Sequence, residues 1–296
     1  MPLNLQNKLV VGISSRALFN LEEENAIFES QGLEAYRQYQ LEQKKDILKP
    51  GAAFPLVRAL HNLNCGEERL TEIIIMSRTS ADTSLRIFNS IEHYGLDISR
   101  AALVGGNKIS NYLHAFKTDL FLSMNENDVQ EAVNANVAAG LIYPRQSSPV
   151  DTVEQIRIAF DGDAVLFSDE SERIFQTEGF DAFQENERRN AQNPLPEGPF
   201  AKLLKTISIV QGCFDADHQP IRTALVTARN APAHERVIRT LAAWDVRIDE
   251  VFFMGGIEKA KVLEAFGAHI FFDDQAVHTD PASKLVPSAR VPYIQR

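Results

Sequence analysis

The chain has 296 residues, of which 44% are hydrophobic and 24% are charged, values typical of folded globular proteins. They exclude a disordered, collagen-like, coiled-coil or disulfide-scaffold chain, and at about 150 residues per domain the length predicts two domains or one large α/β unit. The 40 acidic residues exceed the 30 lysines and arginines and give a net charge of −10, which disfavours nucleic-acid binding.

Cysteine content and the amino-terminal sequence predict where the protein resides. Cys65 and Cys213 are too few for a secreted disulfide framework and lack a metal-binding spacing. The sequence MPLNLQNKLVVGISSR has too short an apolar stretch for a signal peptide, and no segment approaches the roughly 18 apolar residues of a membrane helix. We therefore expect a cytoplasmic protein that binds neither membranes nor nucleic acids.

Short runs rich in β-branched and aromatic residues alternate with helical patterns along the chain. The predicted strands are LVVGI (9–13), EIIIM (72–76), AALV (101–104), DLFL (119–122), IRIAF (156–160), TALVT (223–227), EVFFM (250–254) and HIFF (269–272). Between them lie amphipathic stretches such as ADTSLRIFNSIEHYG and APAHERVIRTLAAWD, whose apolar residues recur at helical spacing. This alternation predicts an α/β fold of Rossmann-like parallel-sheet modules.

The two parts of the chain resemble each other. A shift of 150 positions aligns them without a gap, and a second shift of 148 aligns a shorter stretch before it. The first shift pairs Ser77 with Thr227, Arg86 with Arg236, Tyr94 with Trp244 and Gly105-Gly106 with Gly255-Gly256, and the second pairs Ala17-Leu18-Phe19 with Val165-Leu166-Phe167. Shared hydrophobic periodicity explains single matches by chance, but the gapless run favours an internal duplication.

A polar, proline-containing segment, PRQSSPVDT (144–152), separates the two copies. We therefore predict a first module over 1–143, a linker over 144–153 and a second module over 154–296. Two related modules often pack as a pseudo-symmetric pair. We expect the first to dock on the second, the alternative being an independent domain on a flexible tether.

The copies differ where parallel α/β sheets bind their ligands, beyond the carboxyl ends of the strands. In the second copy Asp161 and Asp163 follow IRIAF, and Asp273 and Asp274 follow HIFF. The corresponding residues of the first copy are Ile13, Ser15, Ser123 and Met124. Because crowded carboxylates repel one another, a divalent cation such as Mg²⁺ is their usual partner. The second copy is thus predicted to be catalytic, and the first degenerate and without metal.

Four motifs of the second copy resemble the haloacid dehalogenase superfamily of phosphotransferases. FDGDAVLFSDE resembles its D-x-D-x-[TV] signature, LVTAR its second motif, GGIEK its lysine motif and FFDDQ its acidic pair, in the family's order. The flanking sequences, together with ISSRALF, FNSIEHYGLDI and DLFLSMNE in the first copy, resemble the cytosolic 5′-nucleotidases of type I. A D-x-D pair alone is as compatible with a capped turn at a strand end.

The resemblance implies a role for each strand-end residue. Asp161 would be the nucleophile that forms an aspartyl-phosphate, and Asp163 the general acid and then base. Asp273 would bind Mg²⁺ directly and Asp274 through water or an outer contact. A helix cap with a first-turn acid is the alternative for this last pair.

Four further positions follow from the same motifs. Thr227 and the amides after it, at Ala228 and Arg229, would hold the phosphate at a helix amino terminus, although helix capping is the ordinary role of such a threonine. Arg229 could instead form a salt bridge. Lys259 would offset the charge of Asp161 and the phosphate, with Lys261 as the rival lysine.

The segment over 168–221 is far longer than the usual βα loop of about 2–6 residues. It predicts a helical cap that sets specificity. Phe183, Glu187 and Asn190 are the candidates for contacting the base or ribose of a substrate, although helical spacing alone is equally consistent with structural roles.

Together these features predict a magnesium-dependent 5′-nucleotidase. It would hydrolyse nucleoside 5′-monophosphates, with AMP or deoxynucleotides implied by the resemblance. A phosphatase for another small phosphometabolite and a nucleotide-sensing protein with a residual site are the alternatives. The sequence leaves open whether the chain forms a homo-oligomer.

Overall fold

The computed structural model describes residues 5, 7–64, 69–144 and 155–295. The predicted linker therefore lies outside the described residues, apart from Pro144, as does Cys65. Cys213 is exposed. Below, the first half denotes the described residues up to 144, and the second half those from 155.

Ten strands form one sheet at the centre of the described structure. In chain order they are β1 (Leu9–Ile13), β2 (Thr71–Ser77), β3 (Arg100–Leu103), β4 (Leu120–Ser123), β5 (Ala138–Ile142), β6 (Ile156–Phe160), β7 (Ile221–Thr227), β8 (Glu250–Phe253), β9 (Ile270–Asp273) and β10 (Ser288–Arg290). The predicted strands all lie within two residues of these bounds, whereas β5 and β10 were not predicted.

Helices cover both faces of this sheet. They are α1 (Ser15–Leu18), α2 (Glu22–Glu42), α3 (Phe54–Asn62), α4 (Leu85–His93), α5 (Ser110–Leu113), α6 (Glu126–Asn134), α7 (Glu170–Glu178), α8 (Phe180–Arg189), α9 (Ala201–Gln211), α10 (His234–Ala243), α11 (Lys259–Phe266) and α12 (Ala276–Ser283). None of the helices in the described ranges is long and apolar enough to cross a membrane.

The sheet has the strand order β3-β2-β1-β4-β5-β10-β9-β6-β7-β8. Its neighbouring strands are parallel except at the centre, where β5 and β10 run antiparallel with Ile142 opposite Ala289. We call the β5–β10 pair the joint. From the joint outward, the strands of each half follow the same order, namely the fifth, fourth, first, second and third strand of that half. The predicted α/β class is confirmed, and the two sets of strands lie in one continuous sheet.

The two halves share a hydrophobic core at this joint. On one face, a single cluster combines buried residues of both halves, from Leu9 and Ile13 to Phe160 and Phe272. The joint is close-packed: a Cβ atom added at Gly140 would lie 2.8 Å from the Cβ atom of Ala289. The opposite face carries a separate cluster for each half. The shared cluster favours docked halves over a flexible tether.

Each half inserts helices between its first two strands. In the second half, the last of them, α9, buries Leu203, Leu204 and Ile207 in the core, so α7 and α8 are the outer part of this insertion. The first half has an insertion as well, which was not predicted. Its helix α2 is broken at Gly32, where φ is 84°, and α7 and α8 are separated at Gly179, where φ is 88°.

Candidate active site

Two neighbouring strands bring the predicted acidic residues together. Strands β6 and β9 pair in parallel, with Phe160 opposite Phe272, and the amide of Asp161 donates a 2.8 Å hydrogen bond to the carbonyl of Phe272. Asp273 and Asp274 follow directly on that strand. Because parallel strands end at the same edge of a sheet, the two acidic segments meet there.

Three carboxylates converge at this edge. One oxygen each from Asp161, Asp273 and Asp274 lies within 4.8 Å of the others, and all three residues are buried. The Oδ1 atom of Asp274 is buried and has no hydrogen-bond partner among the described residues. Oxygen ligands in such a cluster suit a hard divalent cation, and the orphaned oxygen is a free coordination position. The residues present therefore fit a metal.

Lys259 is the positive charge of the cluster. Its Nζ atom lies 2.8 Å from Oδ1 of Asp161 and 2.6 Å from Oδ2 of Asp273, and its side chain is only 1% exposed. The rival Lys261 is exposed and pairs with Glu264 at 3.0 Å. Of the two lysines, only Lys259 contacts the carboxylate cluster.

Burial controls protonation in the cluster. It raises the pKa of Asp161 to about 7, although Lys259 opposes the shift. It raises the pKa of Asp274 to about 8, assisted by the charges of Asp161 and Asp273. Burial also raises the pKa of Asp273. Burial disfavours the Lys259 ammonium, but its two carboxylate partners outweigh this and raise its pKa. Without a metal, the cluster therefore retains protons near neutral pH.

These shifts predict how pH affects stability. Because the folded chain binds more protons than the unfolded chain, the free energy of unfolding of metal-free protein should fall as pH rises from about 4 to about 8. Metal binding requires deprotonated carboxylates, so Mg²⁺ should raise the melting temperature more at pH 8 than at pH 5.5. Melting curves in Mg²⁺ and in chelator at matched ionic strength measure both effects. Equal shifts at the two pH values would contradict the prediction.

The loop after β7 lies against the turn after β6. A Cβ atom added at Gly162 would lie 3.2 Å from Oγ1 of Thr227, so the two segments approach closely. The Thr227 hydroxyl accepts a 3.2 Å hydrogen bond from the amide of Arg229. A side-chain hydroxyl that accepts from a backbone amide two residues later is the kind of contact expected of a capping threonine. It also fixes the Thr227 hydroxyl at the strand edge where the carboxylates lie.

Asp163 does not join the three-carboxylate group. Its two oxygens accept hydrogen bonds of 2.7 Å from Nε and Nη2 of Arg229, which is a bidentate pair. The Arg229 side chain is only 2% exposed. Nearby acids outweigh the effect of burial and raise the pKa of Arg229, so the guanidinium is charged.

Arg229 also connects this loop to the insertion. Its Nη1 atom donates to Glu187, whose other oxygen accepts from Nη1 of Arg236 at 3.0 Å and from the Ser171 hydroxyl at 2.8 Å. The ring of Phe183 lies 5.4 Å below the guanidinium, within cation–π distance. Helices α7 and α8 are thereby held against the loop that follows Thr227.

Glu187 is expected to contribute strongly to stability, because its side chain is 0% exposed and holds two arginines. Glu187→Gln should lower the free energy of unfolding by about 3 kcal/mol, since it leaves buried positive charge unpaired. Glu185→Gln is the matched control: that residue is on the same helix, 65% exposed, and pairs with Arg188, so its loss should cost less than about 1 kcal/mol. Urea unfolding compares them, and equal losses would contradict the prediction.

The remaining predicted substrate-contact residues have different positions. Ala228 is exposed beside Thr227. Asn190 donates from Nδ2 to the carbonyl and side-chain oxygens of Asn186, at 3.0 and 2.9 Å, so this side chain caps the end of α8. Phe183 and Glu187 both contact Arg229. These four substrate roles stay predictions.

Sequence reasoning missed one contact of the carboxylate cluster. The hydroxyl of Tyr293 donates to Oδ2 of Asp274, which leaves only Oδ1 free. Tyr293 belongs to the tail after His278, where no motif or spacing marks it. Gln275, by contrast, is part of the FFDDQ motif. Its backbone amide donates a 2.9 Å hydrogen bond to Oδ1 of Asp273.

Comparison with known proteins identifies the family. A sequence model described as 5′-nucleotidase matches residues 1–296. The chain belongs to the 5′-nucleotidase family. This family is haloacid dehalogenase-like, as predicted, and its name supports the predicted enzyme class, a phosphomonoester hydrolase.

One curated relative of this 5′-nucleotidase family member is human cytosolic 5′-nucleotidase 1B. It is 38% identical over an aligned region that covers 96% of this chain and 48% of the relative. The chain thus spans about half the length of the curated relative that it matches. The relative's name also agrees with the predicted type of 5′-nucleotidase.

Proposed function

We propose that the protein is a magnesium-dependent 5′-nucleotidase that hydrolyses nucleoside 5′-monophosphates of the AMP or deoxynucleotide class. The observation that carries the proposal is the convergence of Asp161, Asp273, Asp274 and Lys259 at one strand edge. Membership of the 5′-nucleotidase family and the name of the human relative support it.

Asp161 is the nucleophile of the proposed reaction. One of its carboxylate oxygens attacks phosphorus, the bond from phosphorus to the 5′-oxygen breaks, and an aspartyl-phosphate forms. The leaving oxygen takes a proton from Asp163. Asp163 then takes a proton from water, whose oxygen attacks phosphorus and releases phosphate from Asp161. Lys259 holds Asp161 in position, and the Thr227 loop orients the phosphoryl oxygens.

Mg²⁺ would be held by Asp161, Asp273 and Asp274, and when bound it supplies positive charge that offsets the phosphate and the carboxylates. The predicted role of Asp163 as a fourth Mg²⁺ ligand stays a prediction, because both of its oxygens pair with Arg229. For the same reason, Asp163 must release Arg229 and take up a proton from water before it can protonate the leaving oxygen. Substrate phosphate can replace Asp163 as the partner of Arg229, which frees the Asp163 carboxylate.

The organisation of the chain is part of the proposal. The repeated strand order, the helical insertion in each half and the glycine break in each insertion support an origin by duplication, with modules over 1–143 and 154–296. Helices α7 and α8 act as the cap of the catalytic half. We also propose that the protein acts in the cytoplasm.

A substrate panel tests this function. Phosphate release from nucleoside 5′-monophosphates, their 3′ isomers and sugar phosphates is measured in Mg²⁺ and in chelator. The proposal requires that the 5′ isomers release phosphate in Mg²⁺ and do not release it in chelator. The Asp273→Asn variant should release none under either condition. Preference for sugar phosphates would favour another phosphatase, and no release from any compound would favour a sensing protein.

A further inference from the structure

We propose that the first half holds a second small-molecule site, which binds a phosphate ester bearing an aromatic ring and does not hydrolyse it. A cavity of about 550 Å³ lies between α2 and the carboxyl ends of β1, β2 and β4. This volume is within the usual range for ligand pockets. The inference rests on the proposed function only because it compares this cavity with the Asp161 site as the catalytic one.

The cavity occupies the place in the first half that corresponds to the carboxylate cluster of the second. Its lining includes Ser15, Ser77, Ser123 and the Gly105-Gly106 turn, which align with Asp163, Thr227, Asp273 and Gly255-Gly256. The two glycine turns have matching backbone angles, with φ of 54° and 87° in the first half and 54° and 89° in the second.

The insertion over the cavity repeats the insertion of the second half. The rings of Phe28 and Tyr36 meet edge to face at a centroid distance of 6.0 Å and an angle of 82°. Phe175 and Phe183 meet in the same way at 6.2 Å and 84°. Phe28 and Tyr36 both line the cavity. They therefore offer aromatic surface to a planar group of a ligand.

The floor of the cavity suits a phosphate without a metal. The hydroxyls of Ser15 and Ser77 are hydrogen-bonded at 2.8 Å, and those of Ser77 and Thr79 at 2.8 Å. Ser15 and Ser123 stand where the second half has Asp163 and Asp273, and the hydroxyls of this floor can donate to phosphoryl oxygens.

The charge of the lining also favours an anion. It includes Arg16, Arg37 and Arg78 against two carboxylates, Glu24 and Asp128. These arginines pair with Glu22, Asp82 and Asp128 respectively, and the first two pairs are substantially exposed, so they can exchange partners at low cost.

The first half lacks the groups that would break the ester. Ile13 stands where the nucleophile Asp161 would be, and Ile109 aligns with Lys259. A ligand bound here keeps its phosphate. Its binding should need no divalent cation, because no carboxylate pair has to be neutralised.

Binding of AMP as a probe to the full chain in chelator tests the proposal by equilibrium dialysis. We expect saturation near one AMP per chain. Thr79→Glu adds a negative charge to the hydroxyl floor, and Tyr36→Ala removes an aromatic ring; each should weaken binding at least about tenfold. Tyr36→Phe keeps the ring, and Thr227→Glu places the same charge in the second half, so both should bind AMP as the unaltered chain does.

Two results would overturn the proposal: no saturable binding at millimolar AMP, or binding that Thr227→Glu abolishes and Thr79→Glu leaves intact. Turnover of Tyr36→Ala in Mg²⁺ reports folding independently, because Tyr36 is outside the catalytic machinery. Failure of the unaltered chain to release phosphate would count against the proposed function and not against this site.

Discussion

Asp161→Asn is expected to abolish phosphate release, with a loss of turnover on the order of 10⁶, because the amide cannot act as the nucleophile. The fold should persist, since Lys259 keeps its 2.6 Å contact with Asp273 and the substitution removes a buried carboxylate whose pKa burial has raised. Phosphate release at saturating nucleotide, together with a melting curve, measures both effects.

Asp181→Asn serves as the control for this substitution. Asp181 is exposed at the start of α8 and is not one of the three clustered carboxylates, so its substitution should leave turnover unchanged. Near-normal turnover of purified Asp161→Asn would rule out this residue as nucleophile.

Residues 150–296 expressed alone should aggregate or lose all measurable turnover. This fragment lacks β5, so the edge of β10 that pairs with Leu141 and Ile142 would be exposed. Unpaired strand edges promote aggregation. The fragment would also expose its side of the shared hydrophobic cluster, including Phe160 and Phe272, and lose the ion pair of Lys202 with Asp119.

Co-expression with residues 1–149 provides the control for the fragment. Two chains that restore the β5–β10 pairing should recover solubility and turnover. A soluble fragment with full activity and unchanged substrate preference would contradict the view that the second half depends on the first.

Apolar runs are sufficient to locate the central strands β1, β2, β4 and β9, because every residue of these strands is buried. The half-buried edge strands β3 and β8 are located by the same signal. It missed β10, which has three residues, and β5, whose sequence AAGLI lacks a strong β signal. It also missed α2, whose 21 residues include only two buried ones, so no apolar stripe marks it.

Strand-end logic placed Asp161, Asp273 and Asp274 together because a parallel sheet brings successive strand ends to one edge. No such rule covers contacts between a loop and a distant helix. Arg229 and Glu187 are 42 positions apart in the chain, and their pairing depends on how the insertion folds back. For this reason Glu187 could be predicted as a site candidate but not as the partner of two arginines.

Trapping the phosphorylated enzyme tests the central claim most directly. Rapid acid quenching during hydrolysis of a nucleotide labelled in its phosphate should capture label bound to the protein at Asp161. In Asp163→Asn the labelled protein should accumulate, because the second displacement lacks its base, and peptide mapping should assign the label to the peptide that contains Asp161. Absence of protein-bound label from both proteins, under conditions in which the unaltered chain releases phosphate, would contradict catalysis through Asp161.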